Sequence, residues 1–350
     1  VAATDTTTPD AALTSEYETL TKRCGIVDRS ERGKLTLTGP GAVEFLNGQV
    51  TNELVGLSPD EGCYAAFLTH KGKMLGDLRI LAVAGTEQAQ PAAERPHPDD
   101  RPATEPSELL LDSERCALQA LFDMIRRFKV GYDVELHKRT LECSLLSLIG
   151  PDADAIATKA FALDDARLPT HEHSHLLAHL GQTPVRLIRT DLGIDALFEA
   201  GALAAAREAL EAAGAVSVSE AAAEIVRVEH GRPRYGIDLD ESTIPQEAGL
   251  NERAVSFTKG CYVGQETVAR LHYKGKPNRH LRGLLLSEPA ESGAALALGE
   301  RAIGSLSSSV LSPRLGPIGL ALVRREAEPG TTVSVGELGA SAVVVELPFA

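Results

Sequence analysis

Apolar and polar positions along this chain switch repeatedly between two periods. From Gly33 to Thr38 they alternate, the period-two signature of a strand. Gly39-Pro40-Gly41 then turns the chain into a short helix, Ala42 to Asn47, with Gly48 expected as its left-handed terminator. Cys63–Leu68 and Met74–Ala84 read as two strands of a hairpin around the polar turn His70-Lys71-Gly72-Lys73. Leu109-Leu110-Leu111 is a further strand. Asp112-Ser113 is placed to cap the helix after it, where Ala117, Leu118, Leu121, Phe122, Ile125 and Phe128 recur at helical spacing. Strands are expected around 134–136, over Cys143–Ile149 and over Pro184–Arg189, and a helix around 152–162. Gly201–Ala213 reads as an Ala-rich helix closed by Gly214. The capping-box pattern Ser217-x-x-Glu220 opens another that ends at His230-Gly231.

Two stretches carry no periodicity. Residues 1–15 are Thr, Ala and Asp with little to bury and are expected to fray. Residues 85–107 are rich in Pro, Glu, Asp and Ala and read as a flexible insertion between two strands of one domain. Beyond Leu281 helical spacing disappears. Short apolar runs broken by Gly, Pro and Ser follow one another at turn-like intervals, the pattern of an all-β barrel or sandwich. The expected organisation is therefore α+β, with a body over 16–276 and an all-β domain over 277–350.

Composition narrows the class. The chain has 350 residues, 43% hydrophobic and 24% charged, as in an ordinary globular protein. No apolar run reaches the roughly 18 residues a bilayer span needs, and the polar N-terminus lacks the features of a signal peptide. A formal charge of −14 opposes non-specific nucleic-acid binding, while leaving room for a local basic pocket. The five cysteines (Cys24, Cys63, Cys116, Cys143 and Cys261) are scattered and never in a CxxC, which points to reduced thiols in a cytoplasmic compartment.

The most unusual segment is Lys259-Gly260-Cys261-Tyr262-Val263-Gly264-Gln265-Glu266. A helix starting just after Cys261 would favour a thiolate there, and Lys259 would add to the effect. The plainer alternative is an inert cysteine at a tight turn. Arg227, Arg232 and Arg234 could grip a carboxylate ligand, or pair internally with Asp238, Asp240, Glu229 and Glu247. His171-Glu172-His173-Ser174-His175 fits neither a helix face nor an HExxH zinc site and reads as an exposed polar connection, so no metal site is expected. Dinucleotide, phosphate-loop and nucleophile-elbow motifs are absent from the sequence.

Taken together these segments resemble the YgfZ/GcvT family, which includes folate-binding proteins related to the glycine cleavage T-protein. Residues 259–266 resemble the K-G-C-[FY]-x-G-Q-E signature of its YgfZ branch. Residues 227–240 with Pro245-Gln246-Glu247 resemble its R-x-E-x-G-x-P stretch. Phe45–Asn52 resembles F-L-x-G-Q-x-T-N, and Thr69–Asp77 its T-x-x-G-x-x-x-x-D hairpin. The resemblance implies a body of two interleaved subdomains and a C-terminal β-barrel around a channel for tetrahydrofolate or a one-carbon derivative. It implies roles for Cys261 as reactive thiol, Lys259 as the group lowering its pKa, and Gln265 and Glu266 as residues ordering that turn beside the folate. Asp77 and Arg227 become folate-binding candidates, Arg227 for the folate carboxylates. Two functions follow. The YgfZ branch supports maturation or repair of iron–sulfur enzymes, including one that modifies tRNA, with those enzymes or assembly factors as partners and no direct nucleic-acid contact. The T-protein branch is an aminomethyltransferase. Its hairpin usually carries paired aspartates where this chain has Gly76-Asp77, and its Y-T-G-E-D stretch is replaced by Asp191-Leu192-Gly193-Ile194-Asp195, which is expected to remove an acid from the pterin site. A pure interaction protein that kept the fold without the ligand is the third reading.

Overall fold

A computed structural model describes residues 10–84, 106, 108–163, 168–337 and 339–349. The chain opens with α1 (Ala11–Lys22), β1 (Gly25–Asp28), β2 (Gly33–Thr38) and α2 (Ala42–Asn47). The hairpin β3 (Gly62–Leu68) and β4 (Met74–Val83) follows, then β5 (Glu108–Ser113), α3 (Leu118–Phe128) and β6 (Glu135–Lys138). Next come β7 (Cys143–Ile149), α4 (Ala153–Ala160), β8 (His175–Leu180), β9 (Thr183–Arg189) and β10 (Gly193–Glu199). The body ends with α5 (Leu203–Ala213), β11 (Val216–Ser217), α6 (Glu220–Glu229), α7 (Asn251–Ala254) and α8 (Gln265–Lys274). Six strands complete the chain: β12 (Arg279–Leu286), β13 (Ala295–Leu298), β14 (Arg301–Ser312), β15 (Gly316–Arg324), β16 (Thr332–Val335) and β17 (Ala340–Val345).

Two sheets build the body. One has the order β3-β4-β5-β2-β6 and the other β11-β1-β7-β10-β9-β8. The chain starts in the second sheet with β1, crosses to the first, and returns at β7, which pairs antiparallel with β1. That return interleaves the two subdomains. β12, β15, β14, β13, β16 and β17 close into a barrel, which removes exposed strand edges. Each unit has its own core. Phe45, Phe67, Leu35 and Ile80 fill the first sheet's core, Leu146, Leu187 and Ile194 the second's, and Leu284, Leu296 and Val344 the barrel's. Complete burial of side chains this size is worth about 1.5–3 kcal/mol each.

The barrel is tied to the body by charge. Arg227 on α6 donates to Ser308 Oγ of β14 at 2.6 Å, and Ser307 and Ser308 both donate to Asp238 at 2.6 and 2.7 Å. Glu229 accepts from Ser312 of β14 and from Tyr17 of α1. Glu247 holds Arg279 of β12 at 2.8 Å. The arginine–glutamate segment and the Pro-Gln-Glu segment are thus the joint between two domains.

Several local expectations give way. Residues 11–15 are helical, because Tyr17 and Leu20 bury against α6 and extend α1 backwards. Gly48 is right-handed, at φ −73°. Asp112 and Ser113 lie inside β5, and the Asp112 carboxylate binds Arg32 and Arg79 instead of capping α3. The cap of α6 is Ser219, two residues beyond the expected Ser217. Phe128 is 45% exposed, because α3 ends there and turns away from the core. β5 pairs with β4 across the insertion, of which residues 85–105 and 107 lie outside the described residues.

Candidate functional site

The body's two sheets enclose a pocket with about 1020 Å³ of empty space, its open mouth included. Among the described residues seven arginines line it: Arg29, Arg32, Arg79, Arg227, Arg232, Arg234 and Arg253. Six carboxylates interleave with them: Asp77, Asp112, Glu114, Glu172, Asp191 and Asp195. Alternation along strands puts them there. Asp77 and Arg79 are two apart on β4 and share its pocket face, while Leu78 and Ile80 enter the core of the first sheet. On β10 the acid at 195 faces the pocket, and Ile194 and Ala196 face the opposite core.

Most of these charges are paired. Arg79 bridges Asp112 at 2.9 Å and Asp195 at 2.7 Å, and Ser147 donates to Asp195 at 2.6 Å. Burial alone would raise the Asp112 carboxyl, but Arg32 and Arg79 hold it below the ordinary range. Arg232 pairs with Asp191 at 2.6 Å, and Arg253 pairs with Glu172. Asp191 and Asp195 of the altered 191–195 segment thus both line the pocket, each held by an arginine.

Asp77 is the exception. It is 5% exposed, and no arginine lies within ion-pair distance of it among the described contacts. Burial pushes its carboxyl up to about 6, with Glu114 adding to the rise and a hydrogen bond from the Tyr64 hydroxyl at 2.6 Å opposing it. A carboxyl in that range changes protonation near neutrality, as a general acid or base must. Tyr64 in turn stacks against His173, with ring centroids 6.1 Å apart, and lies under the Arg253 guanidinium at 5.1 Å.

His173 departs from its expected place on an exposed connection. Its side chain is 14% exposed, its backbone is left-handed at φ 71°, and burial holds its imidazole down at about 3, neutral at working pH. His175 is buried too. Among the described residues no group of three His, Cys, Asp or Glu is arranged to hold a metal. Three buried polar atoms of pocket-lining residues have no hydrogen-bond partner: Nε of Arg79, Nε of Arg253 and Nδ1 of His173. Two donors and one imidazole nitrogen of the pocket lining are thus left unsatisfied within the protein.

The sequence-derived site residues divide. Asp77 and Arg227 line the pocket. Arg227 is committed within the protein, however: Glu224 takes two of its donors, Asp238 a third at 2.8 Å, and Ser308 and the Arg232 carbonyl the rest. Internal pairing thus takes up the three guanidinium groups of Arg227, Arg232 and Arg234, but of the four expected partners only Asp238 takes part, alongside Glu224, Asp191, Glu220 and Glu114. Cys261, Lys259, Gln265 and Glu266 do not line the pocket. Lys259 does not serve the thiol either. Its buried ammonium donates to the carbonyls of Asn47, Val50 and Asn52, and burial pushes it down to about 8. The helix after Cys261 begins only at Gln265, with Gly264 as its cap, so its dipole is centred away from the thiol. Gln265 donates to the Gly260 carbonyl at 3.3 Å, while Cys261 and Glu266 are exposed. Tyr64, Arg79, Glu172, His173, Asp195 and Arg253 went unrecognised. Asp77-x-Arg79 on one strand face was the available signal, since an acid and a base at period two inside an apolar strand both point to one buried face.

The arrangement defines a class: an interleaved α+β body, closed by a β-barrel, around an arginine-lined pocket with one carboxyl tuned near neutrality. Comparison with known proteins makes it specific. The fold is that of GcvT-like proteins. The chain matches the GCVT N-terminal domain over residues 5–89 and the glycine cleavage T-protein C-terminal barrel domain over residues 279–350. It is 27% identical to an aminomethyltransferase of Rubrobacter xylanophilus over 346 residues, covering 97% of this chain and 86% of that one. It is 28% identical to an aminomethyltransferase of Streptomyces coelicolor over 353 residues, covering 95% and 88%. The crystal structure of the glycine cleavage system aminomethyltransferase T from Bartonella henselae superposes with a TM-score of 0.81 over 97% of this chain and 89% of that one. At 23% identity that likeness establishes the fold.

Proposed function

We propose that the pocket binds tetrahydrofolate or a one-carbon derivative, and that the protein is a transferase of aminomethyltransferase type working on that one-carbon unit. The observation that carries this reading is Asp77, a buried carboxyl at about 6, gripped by Tyr64 and, among the described residues, in ion-pair contact with no arginine, while the other carboxylates lining the pocket are ion-paired. Tetrahydrofolate, when bound, supplies amine nitrogens that accept and release a carbon unit. Asp77 would take up the proton that an amine nitrogen gives up as its new bond forms. Tyr64, by donating to Oδ2, would fix which carboxylate oxygen receives it. Arg79, Arg253 and His173 would orient the ring. The aminomethyltransferase names of the relatives above, which this chain matches over nearly its full length, support this reading.

The test is a calorimetric titration with tetrahydrofolate under reducing conditions, beside Asp77→Asn. Micromolar binding retained in the variant, with loss of aminomethyl transfer from a lipoyl carrier protein, is the expected result. No binding by folded wild-type protein would end the folate reading.

A second reading rests on Cys261. Its exposure on the pinned K-G-C loop favours the accessory role toward iron–sulfur enzymes, with tRNA modification an indirect consequence. Cys261→Ala should then fail to restore iron–sulfur enzyme activity in cells lacking this protein, and full rescue would exclude a reactive thiol. All five cysteines are free, which supports a reducing, cytoplasmic setting for either role. Among the described residues no helix is long and apolar enough to cross a membrane.

A further inference from the structure

Three sequence motifs meet at one place far along the chain from one another. Lys259 pins residues 47–52, the Val263 amide donates to the Gly48 carbonyl, and the Ser256 amide donates to the Thr51 carbonyl. The β3–β4 turn joins them. A Cβ on left-handed Gly72 would lie 2.8 Å from Thr267 of α8, and one on Gly264 would lie 2.6 Å from the Thr69 carbonyl. These contacts account for Lys259, Gly72, Gly264 and the buried Tyr262. They do not account for Gly260, whose φ is ordinary and whose absent Cβ faces open space, or for exposed Cys261.

The helix that borders this junction is barely anchored. α8 buries one of its ten residues, Val268, where an amphipathic surface helix commits about three positions in seven to its core face. By contrast α6 buries seven of ten. Charge is concentrated here as well. Segments 69–76 and 256–276 hold six Lys or Arg (Lys71, Lys73, Lys259, Arg270, Lys274 and Lys276) against one acid, Glu266, in a chain of net charge −14. An aromatic group lies beside them: Phe257 and His272 stack at 3.7 Å, and Tyr273, 66% exposed, meets both edge-on.

We infer that the open face of α8, the Lys71–Lys73 turn and the Gly260-Cys261 loop form a docking surface for a protein partner with an acidic face. The charges are complementary within a Debye length of about 8 Å at physiological salt. Exposed Tyr and Arg are the residue types that anchor interfaces. A small residue at 260 lets a partner approach the thiol closely. A nucleic acid fits less well. A long polyanion meets the repulsion of the whole molecule, and Phe257 and His272 each have one face taken up by the other. The surface stands independently of what the pocket binds, because none of its residues lines the pocket.

The experiment uses the full chain and short poly-L-glutamate as the acidic probe, with oligodeoxythymidylate in parallel. The variant reverses three exposed charges, Lys71→Glu, Arg270→Glu and Lys274→Glu. A control variant reverses exposed Arg126 and Arg127 on α3 to Glu. Binding of poly-L-glutamate that falls with salt, weakens about tenfold in the α8 variant and is unchanged in the control supports the surface. Slower alkylation of Cys261, read by site-resolved mass spectrometry with exposed Cys116 as internal reference, places the probe there. Equal weakening by both variants, no binding, no protection of Cys261, or tighter binding of the oligonucleotide would each overturn the inference. Circular dichroism confirms that both variants fold.

Discussion

The pocket and the K-G-C junction treat charge in opposite ways. In the pocket, arginines and carboxylates are withdrawn from water and matched, as in the Asp112–Arg79–Asp195 bridge. At the junction a single ammonium, Lys259, is buried on backbone carbonyls and the remaining cations face solvent. The comparison teaches that a pocket this polar is held open by pairing, and that Asp77, the one lining acid without an ion pair among the described residues, stands out for that reason. The junction spends one lysine on architecture and leaves its surface free for recognition.

The largest effect expected is at the bridge. Arg79→Leu strands the buried Asp195 carboxylate and leaves Asp112 to Arg32 alone, and should destabilise the body by about 3–5 kcal/mol, read from urea unfolding. A loss below 1 kcal/mol would mean that the pocket's charges are hydrated, not paired, and the contrast with the junction would collapse.

Next comes Asp77→Asn. The folded pKa of Asp77 lies above its ordinary 3.8. Its contribution is therefore most favourable below 3.8 and is lost as pH rises through about 6. Asn escapes that loss, so the variant should be more stable than wild type at pH 7 by up to about 3 kcal/mol. The gain should fade as pH drops toward 3.8. A gain that did not vary with pH would assign it to packing instead of to a strained carboxyl.

Lys259→Met should cost about 1–3 kcal/mol, because three carbonyls lose their donor. Hydrogen exchange should quicken at the Val263 and Ser256 amides, which lean on the same segment, while pocket amides stay protected. Faster exchange in the pocket would show that the two regions are one unit.

The smallest effect is Cys261→Ser. An exposed thiol clear of the pocket should change stability by less than about 0.5 kcal/mol, with folate affinity unchanged. A loss of folate binding would bring the thiol into the pocket and erase the distinction.

Much of the architecture was legible. The expected strands Gly33–Thr38 and Cys143–Ile149 are strands at those bounds, buried along nearly their whole length on both faces. The loss of helical spacing after Leu281 announced the barrel, although β14 was obscured by the Gly and Ser that dilute its apolar alternation. Helix ends were read less well. Ser217 and Ser219 both fit a cap, and only packing of α6 on α1 selects Ser219. Of the site, contiguous motifs were visible and the assembled pocket was not. Asp77 looked mute in isolation, and His173 looked exposed.

The reason is range. Sequence alone determined what depends on near neighbours: strand and helix periods, the glycines at Gly72 and Gly264, and the grouping of cations in 256–276. Only the tertiary structure decided which charges meet. Arg79 and Asp195 are 116 positions apart, and Lys259 lies 212 from Asn47. A carboxyl is moved to about 6 by the low polarity of what folds around it, and a lysine is turned from a thiol's neighbour into a backbone clasp by where three carbonyls converge. Neither the dielectric nor the convergence is a property of any local segment.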